Sequence, residues 1–294
     1  MRYLFIHQNF PGQFRHIAAA LAADPSNEVV ALVDQANRRD GLTPAGLRLL
    51  SYATPQGASK TTHPYLQGYE ASVRRGQQIV RACLALQQQG FRPDIICAHA
   101  GWGEALFIKE VFPAAILLDY FEFFYRTRGS DVGFDQEMQT QSLDGNCKVQ
   151  TRNSCHLLSM ETADWGWSPT QWQASQFPEH FRSRLSVIHE GIDTDTVKPD
   201  EAAVFELPGG VKLSKRDQVV TFVNRNLEPY RGFHIFMRAL PRILQEHPKA
   251  HVVLVGGDAV SYGSLPNEGG HWRAKMLAEV GGKLDMHRVH FVGK

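Results

Sequence analysis

The stretch from Val219 to Asp258 constrains the fold of this chain most strongly. Its first apolar run, Val219 to Val223, is typical of a buried strand, and a second such run, His251 to Val255, ends in Gly-Gly-Asp. Between the two runs apolar residues recur at helical spacing, namely Phe233, Phe236, Met237, Leu240, Ile243 and Leu244. The pattern predicts a strand–helix–strand unit whose helix begins near Gly232 or Phe233.

Two cations accompany the start of that helix. Arg225 and Arg231 stand on either side of a turn built around Pro229, between the predicted strand and the helix. Fixed cations beside a helix N-terminus favour a phosphate-bearing ligand. The alternative is a pair of surface cations, or a salt bridge from either arginine to Glu228.

Composition limits the classes of function. The 294 residues suffice for about two domains, and 43% hydrophobic with 21% charged residues is ordinary for a globular protein. Lys plus Arg (31) nearly balance Asp plus Glu (30), which argues against nucleic acid as a partner. The four cysteines show no C-x-x-C spacing, so we expect buried free thiols in a reducing cytoplasm. The N-terminus is typical of a strand and not of a signal peptide.

The chain begins with a predicted βαβ unit. Arg2 to Ile6 and Glu28 to Val33 are the strands, and a helix from about Gln13 to Ala23 would bury Phe14, Ile17, Ala18, Leu21 and Ala22. Gly12 precedes that helix, where a missing Cβ would let the backbone approach a ligand. The spacing lacks a G-x-G-x-x-G pattern, and a glycine that serves only the turn is an equal alternative.

A second βα repeat follows. A long helix from about Tyr65 to Gln89 leads to a strand, Ile95 to Ala98, whose carboxyl end carries His99. That histidine either contacts substrate or only caps the strand end. Ligands of parallel sheets bind outside the carboxyl ends of the strands, so we expect His7, Gly12 and His99 at one rim. The thirteen histidines show no metal-binding spacing, and no metal site is predicted.

An aromatic segment follows the next predicted strand, Ala114 to Leu118. Tyr120 and Glu122 lie in Asp-Tyr-Phe-Glu-Phe-Phe-Tyr, which is either core or a place where a sugar-type acceptor bonds to Glu122 and packs on the rings. The polar segment 126–146 is predicted to be a loop near that acceptor.

A stretch rich in Pro and Gly separates two predicted domains. Residues 1–195 form the first, with a helix over Cys147 to Ala163 and a last strand at Leu185 to Ile188. Residues 196–216 read as a linker, and residues 217–294 form the second domain with a last strand at Arg288 to Val292. Each domain is predicted to have its own parallel sheet, with a cleft between them.

These motifs together carry a resemblance to a known family. The segments YLFIHQNFPGQF, the post-strand His99, VIHEGID and NRNLEPYRGF resemble the retaining nucleotide-sugar glycosyltransferases of glycosyltransferase family 4. The resemblance covers nearly the whole chain and implies a GT-B-like fold, with two Rossmann-like domains facing across a cleft. Arg225 matches the family's first cation. Arg231 stands where the family usually has lysine, so a planar guanidinium group replaces the compact charge of an ammonium group.

The resemblance implies a role for each candidate residue. Arg225 and Arg231 would bind the donor and stabilise the departing pyrophosphate without a metal or cofactor. Gly12, Gly257 and Asp258 would complete the donor site, and His99 would contact the transferring sugar. Glu122 and Tyr120 stay candidates for the acceptor, which would be a glycan, a lipid-linked saccharide or a small molecule. A lipid-linked acceptor would bring peripheral contact with a membrane.

The sequence departs from the family pattern at its end. Family members continue beyond the strand predicted at 288–292 with two glutamates separated by seven residues, and no such pair stands upstream in a Gly-rich setting. We therefore expect an incomplete second sheet, as in a fragment. The alternative function is a non-catalytic module that binds a nucleotide sugar or a glycan. Donor sugar, base, acceptor and oligomeric state are not determined by the sequence.

Overall fold

A seven-stranded parallel sheet organises the first part of the chain in the computed structural model, which describes residues 1–135, 137 and 142–294. These residues form two compact units, Met1–Asp193 and Thr194–Lys294. The elements of the first unit are β1 Arg2–Ile6, α1 Arg15–Ala23, β2 Glu28–Asp34, β3 Leu47–Tyr52, α2 Gln67–Gln88, β4 Ile95–His99, α3 Ile108–Val111, β5 Ile116–Tyr120, α4 Leu143–Arg152, α5 Ser154–Thr162, β6 Trp165–Ser168, α6 Gln171–Gln176, α7 Glu179–Arg182 and β7 Leu185–Val187.

The strand order of this sheet is β3-β2-β1-β4-β5-β6-β7. Alternate residues of β1 point to opposite faces, so Leu4 and Ile6 join one buried layer and Phe5 joins the other. Ile79 of α2 packs into the first layer, and Ala18 of α1 packs into the second. The doubly covered parallel sheet is the Rossmann-like arrangement that the family resemblance implies.

The second unit contains a smaller parallel sheet. Its elements are β8 Val204–Glu206, β9 Lys212–Ser214, β10 Val219–Asn226, α8 Phe233–Glu246, β11 His251–Gly257, α9 Trp272–Val280 and β12 Val289–Gly293. The parallel strands have the order β10-β11-β12, and α8 packs on the sheet through Phe233 and Phe236, which contact Phe222. The predicted strand–helix–strand unit is confirmed.

The segment 196–216, predicted as a linker, contains ordered structure. Strands β8 and β9 pair antiparallel, and Leu207 and Leu213 pack with Val253 in β11 of the three-stranded sheet. Gly209 and Gly210 have positive φ values of 102° and 86°, so the glycines that resemble a disordered stretch instead form a tight turn. This part of the stretch therefore belongs to the fold of the second unit.

Several predicted boundaries differ from the structure. The predicted strand 114–118 is β5 at Ile116–Tyr120, because its register against β4 pairs Ile95 with Ile116 and His99 with Tyr120. The single helix predicted over 147–163 is two helices, α4 and α5. Strand β10 continues through Asn226 with a register shift, so Arg225 lies inside a strand.

Side-chain burial differs from the predicted pattern at two positions. Ile17 is 48% exposed although the helical spacing places it on the apolar face. All four cysteines are free, and Cys147 is only partly buried. Of the loop predicted over 126–146, residues 136 and 138–141 lie outside the described residues. In the ranges that the structure describes, no helix is both long enough and apolar enough to cross a membrane.

Candidate functional site

The predicted site residues of the first unit lie at the carboxyl ends of three neighbouring strands. His7 follows β1, His99 ends β4, and Glu122 lies two residues beyond the end of β5. The strand order reverses between β1 and β4, which is where ligands bind in open parallel sheets. The structure therefore brings together His7, Gly12 and His99, as the positions of the strand ends predict, and places Glu122 beside them.

The His7 ring is buried and fixed by two hydrogen bonds. The backbone N–H of Asn9 donates to Nδ1 over 2.9 Å, so Nε2 carries the proton and donates to Oε1 of Gln13 over 2.7 Å. Burial, reinforced by the nearby His99, lowers the pKa of His7 from 6.5 to about 3. His7 is therefore a neutral hydrogen-bonding group in this structure.

The His99 ring has the same arrangement. Its Nδ1 accepts the backbone N–H of Gly101 over 3.0 Å, and its Nε2 lies 3.1 Å from Oε2 of Glu122. The indole of Trp102 stacks on the imidazole, with ring centroids 3.9 Å apart and an interplanar angle of 7°. The ring is thus held on both its edge and its face.

Gln13 links His7 to Glu122, which His99 contacts directly. Its Oε1 accepts from His7, and its Nε2 lies 3.5 Å from Oε2 of Glu122. The Glu122 carboxylate is 35% exposed, and its backbone carbonyl accepts a 2.9 Å hydrogen bond from the amide of Gln173. The partly exposed carboxylate is therefore oriented by groups from β4 and from the loop after β1, while α6 fixes the backbone of Glu122.

Gly12 has a structural requirement of its own. Its φ is +47°, and an added Cβ would lie 2.5 Å from Cε1 and 2.6 Å from Nε2 of His7. A side chain at this position would displace the imidazole. The close approach that the sequence predicts for a ligand is occupied here by the protein's own His7 ring.

Tyr120 agrees with the core alternative for the aromatic segment and not with a direct acceptor contact. The residue lies within β5 and is fully buried, and its hydroxyl donates to the carboxylate of Glu190. Burial and that hydrogen bond raise the pKa of Tyr120. Its ring centroid lies 5.4 Å from that of His99, so Tyr120 packs against the histidine ring. Its hydroxyl is bonded to Glu190 and is not presented to an acceptor.

A buried acidic pair lies near the same strand ends. Glu104 and Asp119 are both fully buried, and burial raises the pKa of Glu104 to about 8 and the pKa of Asp119 well above its usual range. Within the described part of the chain, both Asp119 oxygens and Oε2 of Glu104 have no hydrogen-bond partner. These carboxyls are most stable in the protonated form, because burial disfavours the charge.

The two predicted arginines lie in the second unit. Arg225 is exposed near the end of β10, and Arg231 is exposed two residues before α8. The Arg231 guanidinium carbon lies 5.1 Å from the centroid of the Tyr262 ring. Among residues 1–135, 137 and 142–294, neither guanidinium forms a salt bridge within 4.0 Å.

The alternative of a salt bridge to Glu228 is contradicted by the structure. Glu228 is fully buried, and its Oε2 accepts backbone N–H groups from Ser261 over 2.9 Å, from Tyr262 over 3.3 Å and from Gly263 over 3.3 Å. The carboxylate is thus directed toward the loop after β11 and not toward either arginine.

Gly257 and Asp258 lie at the end of β11. The carbonyl of Gly257 accepts from the backbone N–H of Leu227 over 2.9 Å, which ties β11 to the turn that carries the arginines. Asp258 is ion-paired with Arg273, whose Nη2 lies 2.5 Å from Oδ2. The predicted donor residues of this unit are therefore gathered around the carboxyl ends of β10 and β11.

Several residues of these clusters had only a weak sequence signal. Gln13, Trp102 and Glu190 adjoin predicted residues or motifs, but their side-chain directions depend on the fold. Tyr262 lies outside every predicted element. No cluster of three His, Cys, Asp or Glu side chains able to hold a metal ion occurs in the described ranges.

Comparison with solved structures defines the fold class. The catalytic domain of starch synthase IV from Arabidopsis thaliana, bound to ADP and acarbose, matches at a TM-score of 0.56 and 17% identity over 100% of this chain and 74% of that one. A UDP-glucose:anthocyanidin 3-O-glucosyltransferase in complex with UDP matches at a TM-score of 0.54 and 11% identity, covering 99% and 71%. With its two parallel sheets, the chain therefore has a GT-B-like fold, as predicted.

Comparison of the sequence then identifies the family. The model of the glycosyl transferase family 4 group matches residues 25–197, more than half of the chain, so the chain belongs to this family and the predicted resemblance is confirmed. Spore coat protein SA of Bacillus subtilis (strain 168) is 33% identical over 87 residues, which is 28% of this chain and 22% of that protein. D-inositol 3-phosphate glycosyltransferase of Mycobacterium sp. (strain KMS) is 33% identical over 85 residues, 29% and 18% respectively. The chain spans about a fifth of the length of these relatives.

Proposed function

We propose that the protein is a retaining glycosyltransferase that moves a sugar from a nucleotide-diphosphate donor to a glycan, lipid-linked or small-molecule acceptor. Family membership supports glycosyl transfer in general. The observation that carries the donor assignment is the pair of exposed guanidinium groups at Arg225 and Arg231, next to Glu228, whose Oε2 accepts backbone N–H groups from another loop.

The chemistry of the leaving group explains the need for these cations. Cleavage of the sugar–phosphate bond leaves negative charge on the pyrophosphate oxygens, and positioned guanidinium groups stabilise that charge in the transition state. Arg231 also stands just before α8, whose N-terminal amides favour an anion. In this proposal the two arginines act without a metal or a cofactor, and Gly257 and Asp258 line the nucleotide side of the same site.

The first unit supplies the sugar and acceptor side in this proposal. His99 contacts the transferring sugar, and Glu122 binds an acceptor hydroxyl while its Oε2 keeps the His99 ring in place. Gly12, which has no side chain, leaves room for the His7 ring in the position where it bonds to Gln13. Tyr120 acts through packing on His99, since its own hydroxyl is engaged by Glu190.

The ligands of related proteins suggest the donor. Starch synthase IV was solved with ADP and the anthocyanidin glucosyltransferase with UDP, so a nucleoside diphosphate sugar is the donor class we propose here. We place the protein in the cytoplasm, where nucleotide sugars are made. A lipid-linked acceptor would bring it into peripheral contact with a membrane.

Titration calorimetry with UDP-, ADP- and GDP-linked sugars tests the donor site. We expect saturable binding to one of these donors, weakened roughly 10- to 100-fold in Arg225→Ala and in Arg231→Ala, because each variant loses a charged hydrogen-bond donor to phosphate. Arg242→Ala is the matched control, since Arg242 on α8 is exposed and pairs with exposed Glu246. Unchanged binding in both arginine variants would contradict the proposal.

Product analysis separates the enzyme from the alternative binding module. Incubation of the binding donor with a panel of saccharide acceptors, followed by chromatography, should reveal product whose anomeric configuration matches that of the donor in the NMR spectrum. Binding without any product would support the module. A product of inverted configuration would refute the retaining mechanism while leaving the transfer itself established.

A further inference from the structure

The loop that follows β11 is anchored by a buried carboxylate. Three consecutive backbone N–H groups, of Ser261, Tyr262 and Gly263, donate to one oxygen of Glu228. The amide of Asn226 adds a 2.8 Å hydrogen bond to the hydroxyl of Ser261. A fully buried carboxylate depends on such donors, and in return it holds the backbone of residues 261–263 in one conformation.

The anchored loop carries an aromatic ring against a predicted site residue. Tyr262 is 54% exposed, which leaves much of its surface to solvent while its backbone is tied down by Glu228. The Arg231 guanidinium lies over this ring at 5.1 Å, within the range of a cation–π contact. The Tyr230 ring lies 6.3 Å from that of Tyr262, on the turn that carries Arg231.

We propose that Tyr262 is a positioning residue for Arg231, and that Glu228 sets the position of Tyr262. An exposed arginine side chain loses considerable rotamer freedom when it binds a phosphate, and a ring that already orders the guanidinium reduces that loss. The guanidinium keeps its N–H donors for the diphosphate while the ring contacts its face. This inference rests on the proposed function, because it assigns Arg231 to the pyrophosphate.

The inference predicts a particular pattern of affinities. With UDP and ADP as probes in titration calorimetry, Tyr262→Leu should weaken binding about two- to fivefold, the range that a cation–π contact supplies at an exposed site. Tyr262→Phe keeps the ring and should bind as the wild type does. Inorganic pyrophosphate should show the same loss in Tyr262→Leu, because it has no base that could stack on the ring.

A double-mutant cycle tests whether the effect passes through Arg231. In an Arg231→Ala background, Tyr262→Leu should cause no further loss of affinity, whereas in an Arg225→Ala background it should cause the full loss. A ring that only stabilises the fold, or that stacks directly on the nucleobase, would lower affinity equally in both backgrounds. That result would overturn the positioning role.

The outcomes distinguish this inference from the function on which it rests. If Arg231→Ala binds UDP, ADP and pyrophosphate like the wild type, the assignment of Arg231 to the diphosphate fails, and the positioning role fails with it. If Arg231→Ala weakens binding while Tyr262→Leu does not, only the positioning role fails. Circular dichroism of each variant confirms that the fold is retained.

Discussion

The buried carboxyl of Glu104 predicts a measurable dependence of stability on pH. Its side chain is fully buried, the hydroxyl of Tyr52 lies 3.5 Å from Oε1, and the charge of Arg75 only partly offsets the burial. Burial therefore raises the pKa of Glu104 from its ordinary value of 4.5 to about 8. The nearby charge of Asp34 acts in the same direction as burial.

The sign of the effect follows from proton binding. Between pH 4.5 and about 8 the folded state keeps the Glu104 proton while the unfolded state releases it, so the stabilisation decreases as pH rises through this window. Within this window each pH unit costs about 1.4 kcal/mol, and the slope halves at about pH 8, where the folded-state group is half deprotonated. Raising the pH from 6 to 8 should therefore lower the free energy of unfolding by ~2 kcal/mol. Above about pH 8 both states are deprotonated at this group and the loss is complete.

Glu104→Gln isolates this contribution, because it removes the titration and keeps the shape of the side chain. Urea unfolding of wild type and variant at pH 6, 7, 8 and 9, followed by tryptophan fluorescence, should show a flatter pH profile in the variant. Trp102, Trp165, Trp167 and Trp172 all lie in the first unit and report on it.

Other groups that titrate in this range are common to both proteins and cancel in the difference. The matched control is Glu110→Gln at an exposed position of α3, which should follow the wild-type profile. Parallel profiles for wild type and Glu104→Gln from pH 6 to 9 would refute the reasoning. That outcome would mean that the carboxylate is compensated within the folded state.

Two further stability predictions concern the two units separately. Gly12→Ala should destabilise the first unit by about 2–4 kcal/mol in urea unfolding, because φ is +47° and the new Cβ would clash with His7, whereas Gly41→Ala has open space and should be nearly neutral. Arg288→Ala should destabilise the second unit by about 1–3 kcal/mol, since its guanidinium bonds to carbonyls at the end of α8 and in the turn after it. Arg242→Ala, at an exposed position of α8, should change the stability little. Equal effects in the two arginine variants would contradict the capping role of Arg288.

The spacing of apolar residues along the chain was sufficient to predict most of the strands and helices. The strands at Arg2–Ile6 and Glu28–Asp34 and the helix over Phe233–Glu246 agree with the spacing of their apolar residues. The hairpin within 196–216 was missed, because its strands are three residues long and depend on packing against Val253. Short strands carry too few alternations for a periodicity to identify them.

The sequence predicted where in the fold the candidate site lies, but not the burial of each of its side chains. The strand ends predicted His7, Gly12 and His99 at one rim, since parallel strands share their carboxyl edge, and the structure brings Glu122 to the same place. The predicted strand ended at Leu118, which placed Tyr120 in the loop beyond it. In the structure β5 ends at Tyr120, which pairs with His99 of β4 and is buried. A shift of register by two residues leaves the apolar pattern intact, so the sequence alone does not exclude it.

The sequence by itself determined the alternation of strands and helices, the family, and the positions of two cations at a strand–helix turn, because each depends on residues close together in the chain. Only the tertiary structure decided where the buried carboxylates point. Glu228 could have paired with an arginine a few residues away, yet it accepts three N–H groups from a loop more than thirty residues later. The direction of a side chain depends on which distant donors the fold brings to it, and no local pattern contains that information.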